Sequence, residues 1–264
     1  MAIITLTTDL GTNDSYLASV KGSIYSQFED AKIVDITNHI EPFNIQQAAY
    51  ILGNCFKDFP LGTVHIISVD DELSIQNEHL AVKAFGHYFI GADNGLFSLL
   101  FNEVKPEKIV KLNISLTTDC MTFAAKNIFV PAACHLLRGG TMEIIGTSVP
   151  DFEVKRMELK SVLQADMIRG AVLYVDRYGN ATTNISKLEF EKVQKGRQFT
   201  ILFGREDEMI TKISAKYKDE RGKLLLHLLK NAVGYGAGKQ TPLPEELAFL
   251  FTVKQNINNT DSKS

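Results

Sequence analysis

Four polar stretches of the 264-residue chain bring together side chains whose types and spacing suit chemistry. TTDLGTND holds Asp9 and Asp14 around Gly11, VHIISVDDELS the adjacent acids Asp70 and Asp71, GADNGLFS the amide of Asn94, and VDRYGNATTNI the set Asp176, Tyr178, Asn180, Thr183 and Asn184. A carboxylate accepts the hydrogens of a sugar diol or takes a proton from water. An amide reads a heterocycle edge by donating and accepting at once, and a phenol ring covers an aromatic face. The first stretch is not a phosphate loop, which needs spaced glycines or glycines followed by lysine, and two carboxylates repel phosphate. A ribose diol suits Asp9 better. Asp70 or Asp71 could orient water, Asp176 could pair with an ammonium group, and Asn180 could read an adenine edge beside Tyr178. All of these residues are equally at home in turns and helix caps, so type and spacing alone leave both readings open.

Other chemistries have less support. The histidines His39, His65, His79, His87, His135 and His227 form no HExxH or similar set, and His65, inside an apolar run, reads as a core imidazole. Cys55, Cys120 and Cys134 are far apart, so neither a zinc cluster nor a disulfide framework is expected, and a reducing compartment fits best. The 31 acidic and 28 basic residues give a net charge of -3, without the basic surplus that makes nucleic acid or an anionic membrane the default partner. The opening MAIITLTTDLG has no signal-peptide pattern, and no apolar run reaches the ~20 residues of a membrane span. These features predict a soluble cytoplasmic protein that needs no metal.

The elements that must position these groups follow from periodicity. Ile3 to Thr8 reads as a buried strand, Tyr16 to Phe28 as a helix with apolar residues three and four apart, and Lys32 to Ile36 as a strand. Ile45 to Phe56 reads as a helix and Val64 to Val69 as a strand. Strand and helix alternating with short links predict an α/β fold with a largely parallel sheet, whose carboxyl edge would gather Asp9, Asp14, Asp70 and Asp71. Leu80 to Phe85 and Tyr88 to Ala92 predict a hairpin at the antiparallel edge of that sheet. Lys108 to Leu112 then reads as a strand and Asn127 to Leu137 as a helix. Beyond Asp151 the runs Arg169 to Val175, Gln198 to Phe203, Met209 to Ile213 and Ala248 to Val253 predict a smaller, mainly β domain, with helix only near Lys223 to Lys230. The expected division is 1–155 and 165–264.

The ordered segments TDLGTNDSY, EPFNIQQAAYIL, GTVHIISVD, GADNGLFS, NIFVPAACHL and VDRYGNATTNIS resemble the S-adenosylmethionine hydroxide adenosyltransferase family, relatives of the adenosylmethionine-dependent fluorinase and chlorinase. The resemblance runs across nearly the whole chain. It implies an N-terminal α/β domain, a C-terminal β-barrel-like domain, and homotrimers with sites between subunits. S-adenosylmethionine is then substrate or ligand, and no cofactor is required. It further implies Asp9 as the ribose-binding acid, Asp176 as partner of the methionine ammonium, Asn180 as the adenine-reading amide and Asp70 as the catalytic acid. Asp14, Phe43, Asn94, Tyr178 and Asn231 join the expected binding set.

Two positions depart from the family pattern. The family continues its third strand as VDPGVG with an arginine seven residues after the aspartate, where this chain reads VDDELSIQN and has Asn77. The family's TFHGRDIFAP is TFAAKNIFVP here, with Ala124 at the catalytic histidine. His79 and Lys126, each two residues further on, are candidate substitutes. KNAVGY resembles the start of the family's NSxGYLEIA segment and places Asn231, but the likeness fades after Tyr235. The expected activity is hydrolysis of S-adenosylmethionine to adenosine and methionine by attack at the 5′ carbon. The alternatives are an adenosine- or S-adenosylmethionine-binding protein without turnover, and a trimeric structural or interaction protein.

Overall fold

A computed structural model describes residues 2–74, 77–101, 104–114, 122–153, 161–176, 181–203, 205–212, 224–228, 233–237 and 248–253. The chain divides into two compact units, Met1–Arg156 and Met157–Ser264.

The first unit is a seven-stranded mixed sheet flanked by helices. Its elements are β1 (Ile3–Thr8), α1 (Ser15–Gln27), β2 (Lys32–Thr37), α2 (Ile45–Cys55), β3 (Val64–Ser68), β4 (His79–Ala84), β5 (His87–Ala92), α3 (Leu96–Phe101), β6 (Lys108–Leu112), α4 (Val130–Leu137), α5 (Met142–Ile145) and β7 (Gly146–Ser148), in sheet order β2-β1-β3-β5-β4-β6-β7. β1 and β3 are buried at every residue because helices cover both faces, which explains why apolar residues and threonine dominate them, with His65 and Ser68 of β3 the polar exceptions. On one face Ile4, Leu6 and Ile66 meet Val20 and Ile24 of α1 and Val130 of α4. On the other, Ile67 and Phe89 meet Leu52 of α2 and Phe97 of α3.

β1 is parallel to both β2 and β3, with Thr8 level with Ser68, so the chain leaves β1 and β3 at the same sheet edge. The hairpin is not at the edge. β5 lies parallel beside β3, and β4 returns antiparallel between β5 and β6, so the reversal occurs inside the sheet. Its two-residue turn puts Phe85 and Gly86 at φ 53° and 74°, the left-handed pair that matches strand twist. A π-helical turn, Ala125–Phe129, leads into α4 where the sequence predicted plain helix from Asn127, and the Val130 N–H donates to the Ala125 carbonyl five residues back. No helix among the described residues is long and apolar enough to cross a membrane.

The second unit is an antiparallel sheet of β8 (Val162–Leu163), β9 (Met167–Val175), β10 (Ala181–Thr183), β11 (Phe199–Phe203), β12 (Arg205–Ile210), β13 (Leu224–Leu228), β14 (Val233–Ala237) and β15 (Ala248–Val253), with one helix, α6 (Lys187–Gln194). Two expectations are corrected here. The stretch predicted as helix near Lys223 to Lys230 contains β13, paired to β14, because a short apolar run such as LLLHL fits either state and the neighbouring strand decides. The helix lies instead at α6, where Ser186 and Glu189 form a reciprocal capping box. Met209 and Ile210 belong to a strand that begins earlier than predicted, at Arg205.

Candidate active site

Asp9 leaves the end of β1 with its backbone N–H bonded to the Ser68 carbonyl at 3.2 Å, which ties it to the end of β3. Gly11, at φ 67°, lets the chain turn so that its N–H reaches the Asn38 carbonyl at 2.7 Å. Thr8 donates its hydroxyl to the Asn38 side chain at 2.9 Å, fixing the loop after β2 to the same edge. The Asp9 carboxylate accepts the N–H of Phe43 at 3.1 Å. Phe43 holds φ 65°, rare for an aromatic residue, and its ring is 71% exposed, so the acid fixes a projecting ring beside itself. Burial raises the Asp9 pKa; N–H groups of Phe43, Asp9 and Asp70 oppose the rise, and the Asp70 charge adds to it.

Asp70 and Asp71 follow β3. Asp70 is in the left-handed region at φ 49°, which costs a non-glycine residue about 1 kcal/mol and requires surrounding bonds to hold it. Those bonds fall on the backbone. Asn94 donates its amide N–H groups to the carbonyls of Val69 and Asp70 at 3.1 and 3.0 Å, Asn77 donates to those of Asp70 and Glu72 at 3.0 and 2.9 Å, and His79 Nε2 donates to that of Asp71 at 2.8 Å. Ser68 donates its hydroxyl to the Asp71 carboxylate at 2.7 Å. Burial raises the Asp71 pKa, the Ser68 bond opposes it, and the charges of Asp9 and Asp70 push it further up. Three carboxylates therefore share one sheet edge, where Asp9 feels the charge of Asp70 and Asp71 feels those of both.

Several sequence-based expectations change on this geometry. His79, the candidate substitute for a missing catalytic group, is 2% exposed, with its ring edge-on to Phe129 at 4.9 Å, because β4 is an interior strand covered by the π-helical turn. Asn94 is buried with both amide donors and its oxygen engaged by backbone, the oxygen by the Leu96 N–H, so it shapes the loop and offers no free amide proton to a ligand. Asp14 is the exposed N-cap of α1 and makes no side-chain cap bond. Lys126 is half-buried on the π-helical turn, next to the fully packed Ala124 and Ala125, with no contact to Asp70 among the described residues.

In the second unit Asp176 is half-buried just after β9. Thr183 is buried, and Asn184 accepts the Ala171 N–H at 2.9 Å, so this end of the polar motif is built into the sheet. Tyr178, Asn180 and Asn231 lie outside the described residues. Sequence reasoning missed the roles of Ser68, Asn38 and Asn77 as partners that fix the loops. The only signal for them was a polar residue beside a strand terminus, Ser68 at the end of β3, Asn38 just past β2 and Asn77 just before β4. Among the described residues no cluster of three or more His, Cys, Asp or Glu is arranged to hold a metal ion.

Comparison with known proteins bears on both units. Residues 4–146 match the model of the SAM hydroxide adenosyltransferase N-terminal domain, and residues 170–235 that of the C-terminal domain. A (R)-S-adenosyl-L-methionine hydrolase of Methanocaldococcus jannaschii is 32% identical over 192 residues, covering 71% of this chain and 68% of the relative. A hydrolase of the same name from Thermus thermophilus is 30% identical over 188 residues, covering 67% and 72%. A fluorinase of Nocardia brasiliensis is 24% identical, covering 74% of each chain. Among solved structures, an uncharacterized conserved protein from Thermotoga maritima superposes with a TM-score of 0.83 at 26% identity, covering 95% of this chain and 99% of that one.

Proposed function

The chain belongs to the S-adenosylmethionine hydroxide adenosyltransferase family, and from that premise we propose that it hydrolyses S-adenosylmethionine to adenosine and methionine. In this reaction a water oxygen bonds to the 5′ carbon as the carbon–sulfur bond breaks on the opposite side. Methionine leaves as a neutral thioether, so the leaving group needs no acid. The protein must hold the three atoms in line, exclude bulk water and accept one proton from the attacking water.

Asp70 is assigned as the acceptor of that proton, Asp9 as the acid that takes the ribose hydroxyl hydrogens, and Phe43 as the ring beside the nucleoside. The observation that carries this reading is the placement of Asp9 and Asp70 at one sheet edge, close enough for the Asp70 charge to be felt at Asp9. Asp176, Tyr178, Asn180 and Asn231 of the second unit are assigned to the methionine and adenine ends, in a homotrimer whose sites are completed between subunits. The nucleophile is assigned as water, not fluoride or chloride, since the sequence carries no separate halide signature. A cytoplasmic location is part of the same proposal.

A second reading has its own support. Asn77 and Ala124 stand where the family resemblance implies an arginine and a histidine, and Ala124 is sealed in the core. The chain would then bind adenosine or S-adenosylmethionine without turnover. Chromatography after long incubation with S-adenosylmethionine, alongside calorimetry with S-adenosylmethionine and with adenosine, separates the two. Equal release of adenosine and methionine supports hydrolysis. Tight binding without products supports the second reading, and neither binding nor products removes both. Sedimentation of the full chain tests the trimer.

A further inference from the structure

The backbone after β3 has an unusual set of partners. Its four successive carbonyls, Val69, Asp70, Asp71 and Glu72, lie beyond the strand and have left the sheet ladder, yet each accepts a side-chain N–H: Val69 from Asn94, Asp70 from Asn94 and Asn77, Asp71 from His79, and Glu72 from Asn77. The segment they hold contains the left-handed Asp70 and two of three mutually repelling carboxylates. Left to itself, such a loop would relax its backbone and let the charges separate.

We infer that Asn77 and His79 are positioning residues that aim the Asp70 carboxylate by holding the main chain on either side of it. The assignment rests on the hydrolase reading of the site and goes beyond it by replacing two expected side-chain functions with one backbone function. The chemistry of the partners fixes the roles. A carbonyl only accepts, so the Asn77 nitrogen must face Asp70 and Glu72, and His79 must carry its hydrogen on Nε2. Nδ1 of His79 is then a bare acceptor with no hydrogen-bond partner among the described residues, as is Oδ1 of Asn77. A second proton on the ring would bury an N–H without an acceptor, and burial accordingly lowers the His79 pKa. His79 thus works as a neutral donor to the backbone and not as a proton shuttle.

The test compares His79→Phe, which keeps a ring against Phe129 but has no donor, with His79→Gln, whose amide N–H stands near the place of Nε2. Asn77→Leu removes the other pair of bonds, with Asn77→Thr as a smaller substitute should the leucine variant fail to fold. Steady-state release of adenosine and methionine, the pH profile of kcat, and hydrogen exchange of the peptide covering 69–72 are measured on full-length protein. The expected result is a kcat lowered about 10- to 100-fold in His79→Phe and Asn77→Leu, with KM within about 3-fold and faster exchange in 69–72. His79→Gln should recover to within about 3-fold of the wild type with an unchanged pH profile. Loss of activity in His79→Gln equal to that in His79→Phe, or a missing limb in its pH profile, would make the imidazole itself catalytic and overturn the proposal. So would wild-type kcat in His79→Phe. Should the wild type release no product, the hydrolase reading fails alone. The clamp is then judged by exchange, where faster opening in His79→Phe but not in His79→Gln upholds it and equal exchange in all three proteins rejects it.

Discussion

The two ends of β3 solve the burial of polar groups in opposite ways. At its start, His65 is fully buried with both ring nitrogens engaged, Nδ1 by the Thr5 hydroxyl at 2.7 Å and Nε2 by His87 at 3.3 Å. It stacks on Phe89 at 4.9 Å, with Phe56 and Phe59 edge-on. At the far end, five residues on, like charges are gathered, a non-glycine backbone is left-handed, and neutral donors are aimed at carbonyls instead of cations at carboxylates. The first arrangement satisfies its members and stabilises the fold. The second gives its carboxylates neutral donors only, the Phe43 N–H at Asp9 and the Ser68 hydroxyl at Asp71, while fixing the backbone that carries them.

The contrast can be broken by substitution, the most damaging first. Asp70→Ala should lower the rate of adenosine release about 100- to 10,000-fold while adenosine affinity by calorimetry stays within a few-fold; unchanged turnover would remove Asp70 as the proton acceptor. Asp9→Asn, which can still accept the Phe43 N–H, should weaken adenosine binding about 10- to 100-fold, with a smaller effect on kcat.

At the other end of β3 the effect is on stability. Burial, reinforced by the neighbouring His87, lowers the His65 pKa to about 3. As pH falls below ~6.5 the unfolded chain takes up this proton before the folded one does, so stability is held above that range and lost below it, by roughly 1.4 kcal/mol per pH unit. Denaturant melts of His65→Phe between pH 7 and 4 should show a shallower fall than the wild type. The smallest effect is expected at Asp71. Its folded pKa is raised, so its contribution is complete below ~4 and is lost as pH rises through the higher folded value. Asp71→Asn should therefore raise the melting midpoint at pH 7 to 8 by roughly 2 °C, the difference shrinking toward pH 4. A lower midpoint at every pH would mean that the Ser68 bond outweighs the crowding.

The sequence announced the scaffold better than the site. β1, β6 and β15 occupy the expected residues Ile3–Thr8, Lys108–Leu112 and Ala248–Val253, because an apolar run bounded by turn residues is a local property. The helix α6 was legible only through Ser186 and Glu189, three apart, since its eight residues mix charged and apolar side chains too briefly to set a period. Asp9 and Asp70 could be named from position at strand ends. What could not be read was the orientation of partners. Nothing in the letters of Asn77 or His79 distinguishes a donor to a ligand from a donor to a carbonyl seven or eight residues earlier, and an exposed Phe43 at positive φ has no compositional sign.

The turn Ala125–Phe129 closes on five residues instead of four. It therefore contains one residue more than a regular helix would use over the same rise, and the surplus is removable. Deleting a single codon there would let the ladder heal into ordinary α-helix with the residues on either side kept close to their present bearing around the axis. Ala124 and Phe129, whose ring backs His79, would then present nearly the same aspect to the strands below. One small genetic step thus separates a bulged entry to this helix from a regular one, with the lining of the sheet edge retained.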